Sequence, residues 1–95
     1  MKVVSKKIRN SARGEDCALR IPNICFNDTE TTVLAHVKTK YSGKGMKSLD
    51  IHGMYCCFQC HAFYDLGNKI DPQWIMDAMV ETQYKLIDKG LVCIP

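Results

Sequence analysis

Two cysteines separated by two residues, Cys57-Phe58-Gln59-Cys60, constrain this chain more than any other feature. The spacing is that of a zinc knuckle: a tight turn aims both sulfurs at one point and leaves the chain ready to start a helix. His61 and Asp65 follow at i and i+4. On a helix that begins where the knuckle ends, imidazole and carboxylate lie one above the other on one face, as a second, hard-metal site requires. The stretch from Cys56 to Asp65 therefore joins half of a structural zinc site to half of a reactive one.

The missing half of the zinc site lies upstream. In Cys17-Ala18-Leu19-Arg20-Ile21-Pro22-Asn23-Ile24-Cys25 the Pro-Asn pair marks a turn that can return one cysteine to the other. Added to Cys57 and Cys60, this pair completes a four-thiolate tetrahedral site that staples the N-terminal loop to the knuckle. Cys56 is an alternative to Cys57 with a poorer spacing to Cys60. Cys56 and Cys93 are read as small buried apolar residues. The N-terminus, Met1-Lys2-Val3-Val4-Ser5-Lys6-Lys7, carries charge but no following apolar run, so no export signal is expected and the protein is read as cytoplasmic. In a reducing compartment six cysteines point to metal rather than to a disulfide framework.

Ninety-five residues can bury only a thin core, so a structural metal would contribute usefully to stability. Apolar residues make up 46% and charged residues 24%, which argues against disorder, collagen or a membrane span. Charge is distributed unevenly along the chain. Residues 1–47 hold ten Lys/Arg against four Asp/Glu, and residues 48–95 hold three against six. A basic first half suits contact with a polyanion, with nucleic acid the obvious candidate.

Local signals order the elements. Residues 5–13 are expected to form a short basic helix or arm that stops at Gly14. Thr31-Thr32-Val33-Leu34-Ala35-His36-Val37 is rich in β-branched residues and reads as a strand with His36 near its end. A Gly/Lys loop over residues 38–47 could track a phosphate backbone or serve as a solvated linker. Residues 49–55 are expected to return as a second, antiparallel strand ahead of the knuckle and its helix. Gly67 and Asn68 end that helix, Asp71 caps the next with Pro72 at its first position, and Gly90 stops it. Ile75, Met76, Met79, Val80, Tyr84, Leu86 and Ile87 form a broad apolar face, expected to be core, with a helix-mediated dimer as the alternative. The tail from Leu91 to Pro95 is expected to pack back or to add an edge strand.

Taken together, Cys-x7-Cys, Leu34-Ala35-His36 on a strand and Cys57-x2-Cys60-His61-x3-Asp65 resemble the HNH, or ββα-metal, nuclease superfamily with a zinc-knuckle support. More closely, the stretch from Ser11 to Pro22 and the later Cys-x2-Cys-His-x3-Asp resemble a group of small phage and prophage nucleases related to the phage recombination nuclease Ref. The resemblance runs from about Ser11 to Asp65 and more weakly through the last helix. It implies an α+β fold: a small zinc-stapled ββα-metal (HNH-like) domain with an additional C-terminal helix. The whole of residues 1–95 would be one nuclease domain, with a basic arm over 1–14, the knuckle and ββα core over 17–66 and the last helix over 71–90.

The resemblance also implies roles. His36 matches the histidine that takes a proton from the attacking water. His61 matches the metal-binding histidine at the start of the ββα helix, and Asp65, one turn on, stands where many relatives have a further ligand. Together they would hold a catalytic divalent ion, Mg²⁺ or Mn²⁺ foremost, with Zn²⁺ or Ni²⁺ as alternatives. The residue before His36 is Ala35, where many HNH enzymes have an acidic or histidine ligand. No middle asparagine is evident; Asp50 or His52 lies near its place, and Asp50 is favoured because a carboxylate would also raise the basicity of the imidazole. Arg9, Arg13, Arg20, Lys38, Lys40, Lys44 and Lys47 are the candidate contacts to a DNA backbone. A recombinase or another phage recombination protein is the further partner the resemblance brings in. The competing reading is a non-catalytic, zinc-stabilised nucleic-acid-binding module that keeps the scaffold and the basic surface.

Overall fold

A computed structural model describes residues 5–40 and 49–93. The first helix, α1 (Lys6–Asn10), is set by Ser5, whose hydroxyl accepts from the Ile8 amide at 3.3 Å. Ile8 and Ala12 turn inward from this segment and are buried. Gly14 ends it at φ +86°, a conformation that favours glycine, and donates its amide to the Thr29 carbonyl at 3.0 Å. The expected arm over 5–13 is thus a helix of five residues followed by turns.

The chain then runs through the first cysteine pair. The Ile24 and Cys25 amides both donate to the Ile21 carbonyl, at 3.1 and 2.9 Å, closing the expected turn at Pro22-Asn23. Asn27 fastens its base, its side-chain oxygen accepting from the Cys17 amide at 2.8 Å. A 3-10 turn over Thr29–Thr31 precedes strand β1 (Val33–His36). The expected strand began too early: β-branching at Thr31 and Thr32 is overridden because the chain is still turning there, with the Thr31 and Thr32 amides donating to the Asp28 and Thr29 carbonyls.

Strand β2 (Gly53–Cys56) pairs antiparallel with β1, placing Val33 opposite Cys56 and His36 opposite Gly53. Gly53 leaves room there for Leu34, since a Cβ would lie 2.5 Å from Cγ of Leu34 and that side chain would have to move. Every residue of β2 is buried. Its outer edge receives the Ala18 amide on the Tyr55 carbonyl at 2.7 Å, which ties the first cysteine loop to the sheet. The expected strand over 49–55 needs a correction. Asp50–His52 is a 3-10 turn, closed by the His52 amide on the Leu49 carbonyl at 3.0 Å, and the strand starts only after it.

Helix α2 (Phe58–Asp65) follows β2 with only Cys57 between them. It therefore starts inside the knuckle, so Cys60, His61 and Asp65 all lie on it. The Cys57 side chain makes no capping bond; the exposed Phe58 amide donates instead to the Thr31 hydroxyl at 3.1 Å.

Helix α3 (Pro72–Asp88) begins as expected, with the Asp71 carboxylate accepting from the Gln73 amide at 2.9 Å and Pro72 at its first position. It packs across β2. Its buried line is Ala78, Thr82 and Leu86, spaced by four. Thr82 anchors it: its hydroxyl accepts from the Tyr55 amide at 2.9 Å and donates to the Ala78 carbonyl at 2.8 Å. The expectation of a buried face through Met76, Val80, Tyr84 and Ile87 is overturned, since all four are exposed. Leu86 of the expected face is buried as anticipated and Ile75 packs partly buried against the core, while the contact with β2 is otherwise made by the small residues Ala78 and Thr82. Gly90 stops the helix at φ +72° as expected. Leu91 and Val92 pack half-buried against the core, whereas Cys93 is exposed and not a core residue. No helix among the described residues is long and apolar enough to cross a membrane.

Candidate metal and active site

Cys17, Cys25, Cys57 and Cys60 meet at one point, their sulfurs all within 4.8 Å of one another. Zinc–thiolate bonds of about 2.3 Å in a tetrahedron put sulfurs about 3.8 Å apart. Sγ of Cys25 lies 3.8 Å from Sγ of Cys57. The cluster is therefore the right size, and its four thiols could hold a metal ion such as zinc. Two of them come from the loop after α1 and two from the β2–α2 junction, so a bound ion would cross-link segments far apart in sequence.

The thiols hold their protons unequally. A hydrogen bond from Cys60 lowers Cys17 to about 4, with the Arg20 and Cys57 amides adding to the effect. The same hydrogen bond pushes Cys60 up, because ionising both sulfurs together without a cation is unfavourable. Burial raises Cys25 to about 11. Cys17 is thus the sulfur most disposed to give up its proton, and a metal ion bound by all four would draw off the others. Cys56 sits beside the cluster without joining it, its thiol pushed up by burial.

A second grouping lies at the end of β1. Nε2 of His36 is 2.7 Å from Oδ1 of Asp50, a residue only 1% exposed. The Asp50 carboxylate is an acceptor, so the imidazole proton belongs on Nε2 and Nδ1 is the nitrogen left to accept another. Oδ2 of Asp50 accepts from the Ser5 amide at 2.5 Å and faces Nε of Arg9 at 3.8 Å. The carboxylate is therefore held from both sides, by the His36 imidazole and by the start of α1. Sequence reasoning reached the His36–Asp50 pair but missed Ser5 and Arg9 behind it. No local pattern announces a contact across 45 residues.

On α2, Nε2 of His61 lies 3.1 Å from Oδ2 of Asp65. Both side chains are partly exposed. At that distance the two side chains are in direct contact one helical turn apart. Among the described residues the four cysteines are the cluster of three or more metal-ligating groups; His61 and Asp65 stand as a pair.

The basic candidates divide. Arg9, Arg13, Lys38 and Lys40 are exposed. Lys38 lies at the mouth of the β1 end, its amide donating to the Tyr64 hydroxyl at 2.8 Å and its ammonium 4.8 Å from the Tyr64 ring. Arg20 is engaged elsewhere: both Nη atoms bond the Glu81 carboxylate at 2.8 Å, clamping the first cysteine loop to α3. This holds Glu81 below the usual carboxylate range and Arg20 above its own. Lys44 and Lys47 lie outside the described residues.

Comparison with known proteins gives a consistent set of relatives. The model of a protein family described as "Putative nuclease YbcO" matches residues 6–90. Two proteins of that description, one from Escherichia coli (strain K12) and one from Enterobacteria phage 82, are each 32% identical over 93 residues, covering 90% of this chain and 95% of their own. A solved structure titled "Structure of a putative bacteriophage protein from Escherichia coli str. K-12 substr. MG1655" superposes with a TM-score of 0.69. It is 29% identical, and the match covers 88% of this chain and all of that one.

Proposed function

The chain belongs to the family described as "Putative nuclease YbcO", and on that footing we propose that it is an HNH-type, metal-dependent endonuclease that hydrolyses phosphodiester bonds in DNA. The observation that carries this reading is the 2.7 Å contact between His36 and the buried Asp50. A histidine at a strand end, oriented by a carboxylate with one nitrogen left over, is built to take up a proton.

In this reading His36 Nδ1 removes a proton from the attacking water. Asp50 keeps the ring oriented and stabilises the positive charge the ring acquires. His61 and Asp65 would hold the catalytic Mg²⁺ or Mn²⁺, which when bound supplies positive charge against the phosphate and the departing oxygen. Zinc in the four-cysteine site would have no part in the chemistry. It would hold the β2–α2 junction rigid and so help keep His61 and Asp65 in place. Arg9, Arg13, Lys38 and Lys40 would contact the strand backbone, and with so small a surface little sequence specificity is expected. The setting is the bacterial cytoplasm, where phage and host DNA are exposed. A recombinase or related phage recombination protein is the partner that the likeness to Ref adds.

One observation favours the competing reading of a zinc-stabilised nucleic-acid-binding module: Ala35 precedes His36, and His61 and Asp65 offer only two ligand atoms. A single experiment separates the two. Zinc-loaded protein is incubated with supercoiled plasmid and with single-stranded DNA, with and without added Mg²⁺ or Mn²⁺, beside His36→Ala of equal zinc content. Cleavage that needs the added ion and vanishes in His36→Ala is the result expected of the nuclease. Salt-dependent binding without cleavage would move the assignment to the binding module.

A further inference from the structure

A cleft of about 440 Å³ opens between α1 and the head of β1, lined by Arg9, Asn10, Arg13, Thr32 and Val33. Among the described residues no carboxylate and no aromatic side chain lines it. Arg9 and Arg13 come from the same segment, four residues apart, and both are exposed. Among the described residues Arg13 has no ion-pair partner, and Arg9 has only Oδ2 of Asp50, at a distance beyond hydrogen bonding. Two arginines thus line one recess, with few of their donors committed to other groups among the described residues. Guanidinium forks match phosphate oxygens in geometry as well as charge.

The position of the cleft matters as much as its charge. Arg9 reaches toward the same carboxylate that holds His36, so recess and candidate base are separated by one side chain. Thr32 and the first residue of β1, Val33, form its other wall, and His36 ends that strand.

We propose that this cleft is a phosphate subsite, taking the backbone phosphate of a nucleic-acid strand next to the one that is cleaved. Arg13 is its principal ligand and Arg9 its link to the active site. The identity of the occupant as a nucleic-acid strand rests on the nuclease reading; the cleft's affinity for phosphate does not depend on cleavage. A strand that lacks the flanking phosphate on this side would lose one ionic contact and be held less firmly.

The test uses Arg13→Gln, an exposed change away from the His36–Asp50 contact, beside Lys69→Gln as a charge-matched control outside the cleft. Binding of a labelled oligonucleotide to zinc-loaded protein is followed by fluorescence anisotropy without added Mg²⁺, over a range of salt. Each phosphate contact contributes roughly 0.7–0.9 to the slope of log K against log salt. Arg13→Gln is expected to flatten the slope by about one contact and to weaken binding roughly five- to tenfold near physiological salt, with Arg13→Lys restoring most of the slope. Lys69→Gln should leave both unchanged. An unaltered slope in Arg13→Gln, an equal loss in Lys69→Gln, or wild-type protein that does not bind the oligonucleotide would each overturn the subsite. Failure of the nuclease reading looks different: the slope falls in Arg13→Gln as stated, but no variant cleaves with any added ion.

Discussion

His36 and Asp50 stand fourteen residues apart in sequence, yet their side chains meet at 2.7 Å because the 3-10 turn over Asp50–His52 folds the carboxylate back beneath the end of β1. The contact leaves Nδ1 as the nitrogen able to accept a proton in the proposed reaction. Asp50→Asn preserves the shape but removes the charge that holds the proton on Nε2. Cleavage is expected to fall by about 10²-fold or more, with His36→Ala lower still, while zinc content stays that of wild type. Cleavage at wild-type rate in Asp50→Asn would show that the carboxylate has no positioning role.

Cys57 links the four-cysteine cluster to the first turn of α2, being both a ligand candidate and the residue before that helix. Cys57→Ser is expected to lose the bound ion and, with it, the cooperative fold, since binding energy at such a site is folding energy. Metal analysis and circular dichroism check this directly. A variant that folded with full zinc content would sink the four-cysteine assignment.

Asp65 contributes one of two ligand atoms proposed for the catalytic ion. With Asp65→Ala the Mg²⁺ concentration needed for half-maximal cleavage is expected to rise by at least about tenfold, a magnitude typical of disturbed metal sites. The structural zinc should be unaffected, which is measured on the same sample.

Thr82 is the polar link between α3 and the sheet. Thr82→Val keeps the shape but leaves the buried Tyr55 amide without its acceptor. The expected cost is about 1–3 kcal/mol in denaturant unfolding. A loss within experimental error would mean that the amide finds another partner.

Arg20 and Glu81 supply a test of what a basic residue is for. Their bidentate pair is partly exposed, so a double-mutant cycle should return a coupling of only about 0.2–1 kcal/mol. Arg20→Gln is expected to change stability by that order and to leave the salt dependence of DNA binding alone. A flattened slope would restore Arg20 to the DNA-contacting set.

Much of the local architecture was legible before any fold was known, because each signal acts within a few residues of itself. Asp71 caps the helix that follows it, Gly14 and Gly90 end their segments with positive φ, and the Pro22-Asn23 turn brings Cys25 back toward Cys17. Even the four-cysteine grouping followed from spacing, since two short turns leave four sulfurs with one economical meeting point. Tertiary structure decided what spacing does not encode. It took Asp50 out of the strand and put it in a turn, where Ser5 and Arg9 can reach it. It gave Phe58 a helix cap from Thr31 in place of Cys57, committed Arg20 to Glu81 across 61 residues, and turned the methionine-bearing face of α3 toward solvent. The physical reason is common to all four. Propensity and periodicity state which side chains can pair or be buried, but which partner is near enough depends on how elements distant in sequence pack. In this chain that packing is governed by the small-residue contact of Ala78 and Thr82 with β2.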